Sequence, residues 1–165
     1  MQTGFITTKR AVSGAIGAAV LLFAGATQAA AVPGQGTWET TLQARDLNAD
    51  GYVDAFYDTT LNISWLDATF GPNDWANATA WAASLDVYGV KGWRLPTMID
   101  TGAPGCDFSF AGTDCGFNVQ TKSGATVYSE MAHLFYVTLG NKAYYDTSGN
   151  PDQPGWGLTN TGNFF

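Results

Sequence analysis

The chain has 165 residues and a formal charge of −7, and 13% of its residues are charged, against roughly 25% in an average soluble domain. An acidic chain of this kind is poorly suited to nucleic acid and to anionic membrane surfaces, and we expect neither as a partner. The length fits a signal segment followed by one domain of ordinary size.

The beginning of the chain predicts a secretory signal peptide. Lys9 and Arg10 precede an uncharged run rich in Ala, Val, Leu and Gly, which closes on three alanines at 29–31. A membrane anchor is the alternative, but it needs about 20 strongly apolar residues and this run contains several Gly, Ser and Thr. We expect residues 1–31 to be removed and residues 32–165 to form a single secreted or otherwise extracytoplasmic domain, in the periplasm or at the cell surface.

Two strands are predicted near the start of the mature domain. The stretch 36–42 alternates apolar and polar residues, which places Trp38 and Leu42 on an inward face. The stretch 56–66 alternates apolar with polar residues in its second half and predicts a second strand, with three apolar positions at Leu61, Ile63 and Trp65.

Between these stretches, side chains that carry oxygen recur at every second position. Their spacing matches positions 1, 3, 5, 7 and 9 of a calcium-binding loop, with glycine at position 6. Position 12, where a bidentate Glu is expected, is Tyr57, and no helix is predicted on either side. A β-hairpin connection is the alternative, because Asn-Ala-Asp-Gly is a good turn sequence. The candidate calcium ligands are Asp46, Asn48, Asp50, Tyr52 and Asp54.

Two helices are predicted further along the chain. The first is capped by Asn73 or Asp74 and ends before Gly89, with apolar positions three and four residues apart at Trp75, Ala78, Ala82 and Leu85. The second runs from its cap at Ser129 to Leu139, with Gly140 at its end. One face of the second helix carries Met131, Leu134, Phe135 and Thr138.

Catalytic motifs are absent from the sequence. His133 is the only histidine, and neither a nucleophile elbow nor a zinc-ligand set accompanies it. We therefore interpret His133 as a structural, hydrogen-bonded histidine and the chain as no enzyme. A triad assembled across the fold is the alternative.

The two cysteines, Cys106 and Cys115, lie close together in the sequence. Because the chain is predicted to enter an oxidising compartment, they predict a local disulfide. A free reactive thiol is the alternative, but no His or Lys flanks either cysteine to activate it.

The last part of the chain, residues 144–165, is rich in Asn, Gly, Pro and Asp and contains no predicted closing strand. We interpret this tail as the end of a truncated domain. Most tryptophans are expected in the core, whereas Trp156 stands in a polar segment and is the candidate for an exposed, sugar-stacking side chain.

A Trp/Ala-rich helix, a glycine turn and a Trp-Arg-Leu-Pro-Thr sequence follow one another over residues 74–97. This pattern resembles the Lcl_C family, the C-terminal domain of bacterial collagen-like adhesins, which also occurs in secreted proteins with a PEP-CTERM sorting tail. The likeness covers roughly residues 55–140. It implies an α+β, C-type-lectin-like fold with two helices packed on a small antiparallel sheet, and the family's closing strands are missing from this chain.

The resemblance also implies a role for the motif Trp93, Arg94, Leu95, Pro96 and Thr97. We expect Trp93 and Leu95 to point into the core, Pro96 to fix the backbone, and the planar fork of Arg94 to hold carbonyls or a carboxylate. These are structural tasks, so the motif is not predicted to be a binding site.

The implied function is that of a non-catalytic binding or adhesion domain for polysaccharide or a surface protein. Calcium is the one candidate cofactor. Two alternatives stay open, a secreted enzyme related to the formylglycine-generating fold and a truncated fragment that binds nothing.

Overall fold

The computed structural model describes residues 30–68, 71, 74–100, 108–110, 112 and 119–164. These residues form a mixed α+β fold with small antiparallel sheets. Its elements are α1 (Trp38–Thr41), β1 (Leu42–Arg45), β2 (Ala55–Asp58), β3 (Ile63–Leu66), α2 (Trp75–Ser84), β4 (Lys122–Ser123), β5 (Thr126–Val127), α3 (Glu130–Ala132) and a π-helical turn (His133–Thr138). No helix within the described ranges is long and apolar enough to cross a bilayer.

The larger sheet is an antiparallel meander in the order β1-β2-β3. The predicted continuous strand over 56–66 is wrong, because the chain reverses between β2 and β3. The Asp58 carboxylate accepts the backbone N–H groups of Thr60 and Leu61 at 2.9 and 3.0 Å, and Asn62 adopts a left-handed φ of 57°. These are the features of an Asp-initiated turn, so the stretch folds as a hairpin.

The predicted strand over 36–42 is also wrong, because most of it forms α1. The Thr37 carbonyl accepts the N–H groups of both Thr40 and Thr41 at 3.0 Å, which closes a helical turn. Trp38 and Leu42 are nevertheless both buried, as expected. Positions i and i+4 share a face in a helix and in a strand alike, so their spacing cannot distinguish the two.

Helix α2 begins at the predicted cap. The Asp74 carboxylate accepts the Asn77 N–H at 2.8 Å, and the helix ends at Ser84, earlier than expected. The predicted apolar face is wrong at Trp75, whose side chain is 72% exposed, whereas Ala82 is buried. The helix therefore packs through its C-terminal half, and its first turn lies in solvent.

The second predicted helix begins at its expected cap, where the Ser129 hydroxyl accepts the Ala132 N–H at 3.1 Å. It does not continue as an α-helix to Leu139, because a π-helical turn follows α3 and Leu139 N–H bonds to the Leu134 carbonyl. The wider turn changes which residues share a face. Leu134 and Thr138 are buried as expected, but Met131 is exposed, so the predicted face is wrong at that position.

One hydrophobic core joins the sheet, α1, the π-helical turn and the tail. It consists of Trp38, Leu42, Phe56, Trp65, Leu134, Leu139 and Phe164. The rings of Phe56 and Phe164 meet edge to face with centroids 4.8 Å apart. Phe164 in the polar tail thus packs against the central strand of the larger sheet.

Amide side chains hold the two ends of the described chain together at a site we call the end junction, formed by the half-buried Gln35 and the buried Asn141 and Asn160. Asn160 is fully buried, and its side-chain oxygen accepts the N–H groups of Val32 and Gly162 at 2.8 and 3.0 Å. Its side-chain nitrogen donates to the carbonyls of Gln35 and Leu139 at 3.0 and 2.8 Å. One side chain therefore satisfies backbone groups from three separate segments.

Two glycines let the backbone segments pass closely beside this junction. Gly36 and Gly140 have φ angles of 77° and 67°, which glycine adopts without a steric penalty. A Cβ atom on Gly140 would lie 2.6 Å from the Gly36 nitrogen. The close approach allows the Thr37 N–H to reach the Thr138 carbonyl at 2.9 Å.

Candidate functional site

A group of aromatic side chains lies on the tail, and we call Tyr144, Tyr145 and Trp156 the aromatic surface. The side chain of Trp156 is 51% exposed and that of Tyr144 is 41% exposed. Their rings are nearly perpendicular, with centroids 5.1 Å apart, and Tyr144 meets Tyr145 in the same manner at 4.9 Å. Large aromatic rings are thus held against one another while part of their surface faces solvent.

Hydrogen bonds to backbone carbonyls fix the loop that carries these rings. The Gln153 side-chain amide donates to the carbonyls of Ala143 and Tyr145 at 3.0 and 2.8 Å. The Gly157 N–H bonds to the Lys142 carbonyl at 2.9 Å and closes the loop at its base. The aromatic surface is therefore positioned before any ligand arrives.

Carboxylates lie in the same loop. Asp152 accepts the Trp156 indole N–H at 3.2 Å. Asp146 accepts backbone N–H groups of Ser148 and Asn150, both at 2.8 Å, and the Asn150 side-chain amide. Hydrogen bonds from the Asn150 side chain and from the loop backbone lower the pKa of Asp146. The loop therefore keeps this negative charge at neutral pH.

The Trp-Arg-Leu-Pro-Thr motif is joined to the start of α3. Arg94 forms a two-pronged ion pair with Glu130, with both N–O distances at 2.7 Å, and donates to the Leu95 carbonyl at 3.0 Å. Glu130 also accepts the Thr97 N–H at 2.7 Å. Burial raises the pKa of Glu130, but the hydrogen bonds from Arg94 and Thr97 outweigh burial and leave that pKa below its ordinary value.

Trp93 and Leu95 were expected to point into the core, but neither belongs to the buried hydrophobic cluster. Trp93, Leu95 and Pro96 are only half-buried and line a cavity of about 450 Å³. The other walls come from β3, the last turn of α2, the segment that follows α2, the start of α3 and Leu47 in the loop between β1 and β2. We call this space the tryptophan cavity, because Trp65, Trp81 and Trp93 line it. Helix α2 ends at Ser84, and the Arg94–Glu130 ion pair joins the motif to α3. The motif therefore lines the tryptophan cavity instead of packing in the core.

The candidate calcium loop connects β1 to β2, which is the position of the alternative hairpin connection. Its carboxylates bind loop amides: Asp46 accepts the N–H groups of Asp50 and Gly51, and Asp54 accepts that of Leu47. The hydrogen bond from Gly51 is the main cause of a lowered pKa at Asp46. Asn48 and Asp50 bond to each other at 2.8 Å, and Tyr52 is exposed.

The described part of the chain contains no group of three or more His, Cys, Asp or Glu side chains that could hold a metal ion. Calcium therefore has no preassembled carboxylate cluster in the described ranges, and the ligand set stays a prediction.

His133 differs from the expected hydrogen-bonded histidine. Its side chain is 4% exposed, and neither ring nitrogen has a hydrogen-bond partner among the described residues. The Thr138 hydroxyl, at the other end of the π-helical turn, likewise has none there. Burial lowers the pKa of His133, and the nearby charge of Lys122 adds to this effect while that of Asp58 opposes it. Cys106, Cys115 and residues 1–29 lie outside the described residues.

The sequence identified Trp156 as a candidate exposed ring but not the neighbouring Tyr144 and Tyr145. The Tyr-Tyr pair at 144–145 in an otherwise polar tail is the signal that points to the aromatic surface. The pairing of Arg94 with Glu130 spans 36 positions, and nothing in the local pattern indicates it. Comparison with models of protein families, with curated proteins and with solved structures finds no match to this chain.

Proposed function

We propose that the chain is a secreted, non-catalytic binding domain that holds a neutral polysaccharide on the aromatic surface. The observation that carries this proposal is a half-exposed Trp156 on a loop fixed by Gln153. Exposed aromatic rings supply apolar area at a low entropic cost when their loop is already ordered. Pyranose rings present flat apolar faces that suit such side chains.

Charge selects against anionic polysaccharides. Asp152 bonds to the Trp156 indole, and Asp146 lies in the same loop. Removal of residues 1–31 leaves five basic against fourteen acidic residues, a formal charge of −9. Uronic acids and sulfated sugars would be repelled by this field. Hydroxyl groups of a neutral sugar would instead find acceptors in the loop's carboxylates and carbonyls.

The proposal extends to the export and fold of the chain. The signal-like beginning supports secretion to the periplasm or the cell surface, and the Trp-Arg-Leu-Pro-Thr motif supports a C-type-lectin-like version of the α+β fold. The same resemblance supports adhesion as the biological setting. A surface protein as the ligand, in place of a polysaccharide, is an outcome that the following experiment distinguishes.

The test is a depletion assay with the exported, purified chain on insoluble neutral polysaccharides, such as cellulose, chitin and mannan. The Trp156→Ala variant should bind about tenfold more weakly, because loss of a stacked ring costs on the order of 1 kcal/mol or more. The matched control is Trp75→Ala, which removes an even more accessible tryptophan from the start of α2 and should bind as wild type.

Both variants should melt like the wild-type chain, since both side chains are exposed. Equal binding by wild type and Trp156→Ala would contradict the proposal. So would binding to no neutral polysaccharide together with capture of a surface protein through the same ring.

A further inference from the structure

The tryptophan cavity is a second site, separate from the aromatic surface. None of its lining residues belongs to the tail loop, and Trp81 and Trp93 are partly exposed on its walls. Its volume of about 450 Å³ falls within the range of roughly 300 to 1,000 Å³ typical of small-molecule sites. A space of this size holds one or two sugar-sized rings.

The charged groups at the cavity neutralise one another. Arg94 pairs with Glu130 at 2.7 Å, and Lys91 pairs with Asp86 at 3.2 Å. The two oxygens of Glu130 accept two hydrogen bonds from Arg94 and one from the Thr97 N–H. Among the described residues the charges at the rim therefore cancel, so the cavity offers no net charge to attract an ionic ligand.

Donor groups nevertheless remain at the rim. The Lys91 ammonium has three N–H groups and uses one on Asp86, and its side chain is exposed. The two terminal nitrogens of Arg94 donate to Glu130 and to the Leu95 carbonyl, whereas its Nε–H makes no hydrogen bond to the described residues. The cavity thus combines aromatic walls with donors that suit hydroxyl and ring oxygens.

We propose that the tryptophan cavity binds a single neutral monosaccharide unit, with its apolar face against Trp93 and its oxygens near Lys91 and Arg94. This site does not depend on the proposed function of the aromatic surface, because no residue is shared. It gives the Trp-Arg-Leu-Pro-Thr motif a binding role in addition to its structural one.

The test is titration of the full exported chain with glucose, galactose, mannose and N-acetylglucosamine, followed by tryptophan fluorescence and calorimetry. We expect saturable binding of at least one of these sugars in the millimolar range, and at least fivefold weaker binding of glucuronate. Trp93→Ala should lower the affinity for the sugar about tenfold. Trp156→Ala should bind the sugar as wild type, which separates this site from the aromatic surface.

A second variant guards against misfolding of Trp93→Ala. Met131 lines the cavity, but its side chain is exposed, so Met131→Trp should fold normally. The larger side chain should obstruct the cavity and lower the affinity for the sugar at least fivefold. Wild-type affinity in both variants would overturn the proposal. Absence of saturable binding of all four sugars up to 50 mM would overturn it as well, as would tighter binding of glucuronate.

Discussion

At the end junction, irregular backbone is buried and its polar groups are satisfied by amide side chains, above all by Asn160. At the tryptophan cavity, irregular backbone borders an opening, and one ion pair between Arg94 and Glu130 joins the two sides. In the end junction the polar side chains form hydrogen bonds to backbone groups, whereas at the tryptophan cavity aromatic surface and hydrogen-bond donors stay accessible. Stability and binding are therefore expected to depend on different residues.

The largest effect is expected at the end junction, for Asn160→Ala. The substitution removes the fully buried side chain that binds two N–H donors and two carbonyl acceptors, and we expect a loss of about 3 kcal/mol or more in the free energy of unfolding. Urea unfolding measures this loss. The neighbouring exposed Asn163→Ala is the matched control and should stay within about 0.5 kcal/mol of wild type. Equal stability of the two variants would show that the junction does not hold the ends.

The next effect concerns the opposite region, through Arg94→Ala. Glu130 would keep its hydrogen bonds from Thr97 but become a buried carboxylate without its cation. Loss of one partner from a buried pair costs about 3 to 5 kcal/mol, and because Arg94 is half exposed we expect about 2 kcal/mol.

The control for that variant is Arg45→Ala, which removes an exposed guanidinium lying 5.0 Å above the Tyr57 ring. Its expected cost is about 0.5 kcal/mol. If chemical denaturation gave the two arginine variants the same midpoint, the ion pair would not be what joins the motif to α3.

A smaller, pH-dependent effect is expected from His133, which is buried at the start of the π-helical turn. Because burial lowers its pKa in the folded chain, the unfolded chain takes up the proton first as the pH falls. The stability contributed by neutral His133 is fully present above the ordinary histidine pKa of about 6.5 and is lost below it, at up to about 1.4 kcal/mol per pH unit.

Unfolding midpoints measured between pH 7.5 and 5.5 test this slope, because Glu130, whose pKa is lowered, titrates below that range. His133→Phe keeps an aromatic ring of similar shape and should flatten the profile. A wild-type profile that is flat over the same range would refute the assignment to His133.

The smallest effect is expected at the Asp46–Asp54 loop. Its carboxylates already accept loop amides, so calcium would gain little from them, and we propose only weak binding. At 2 mM calcium the melting temperature should rise by about 2 °C over a chelator-treated sample. Asp46→Asn should abolish the rise, and the exposed Asp67→Asn should keep it. Calcium sensitivity unchanged in Asp46→Asn would place the ion elsewhere.

Local chemistry explains which parts of the fold the sequence predicts. The caps at Asp74 and Ser129 depend on one side chain and an N–H three residues away, so their pattern is visible in the sequence. The burial of Trp38 and Leu42 was also predicted correctly, although their backbone was not, since helix and strand share the i, i+4 relation. The π-helical turn after α3 adds a residue to a turn without any sequence marker.

The candidate sites likewise can be predicted only where a local sequence pattern marks them. Trp156 is recognisable because an aromatic residue stands in a polar segment, which is a local property. The tryptophan cavity depends on how β3, α2 and the start of α3 meet, and no spacing within any one of them indicates an opening. The lack of a hydrogen-bond partner for the His133 ring nitrogens within the described ranges likewise depends on its neighbours in space.

The close passage of Gly36 and Gly140 has a consequence for how this chain can vary. Each glycine has backbone atoms of the other segment where its Cβ would be, and each has a positive φ, so neither position has room for even a methyl group. In a saturation mutagenesis library, both positions should tolerate no other residue, and a change at one could not be rescued by a change at the other. Two sites more than a hundred positions apart would then behave as one invariant unit, a signature of backbone contact that differs from the compensating exchanges seen between packed side chains.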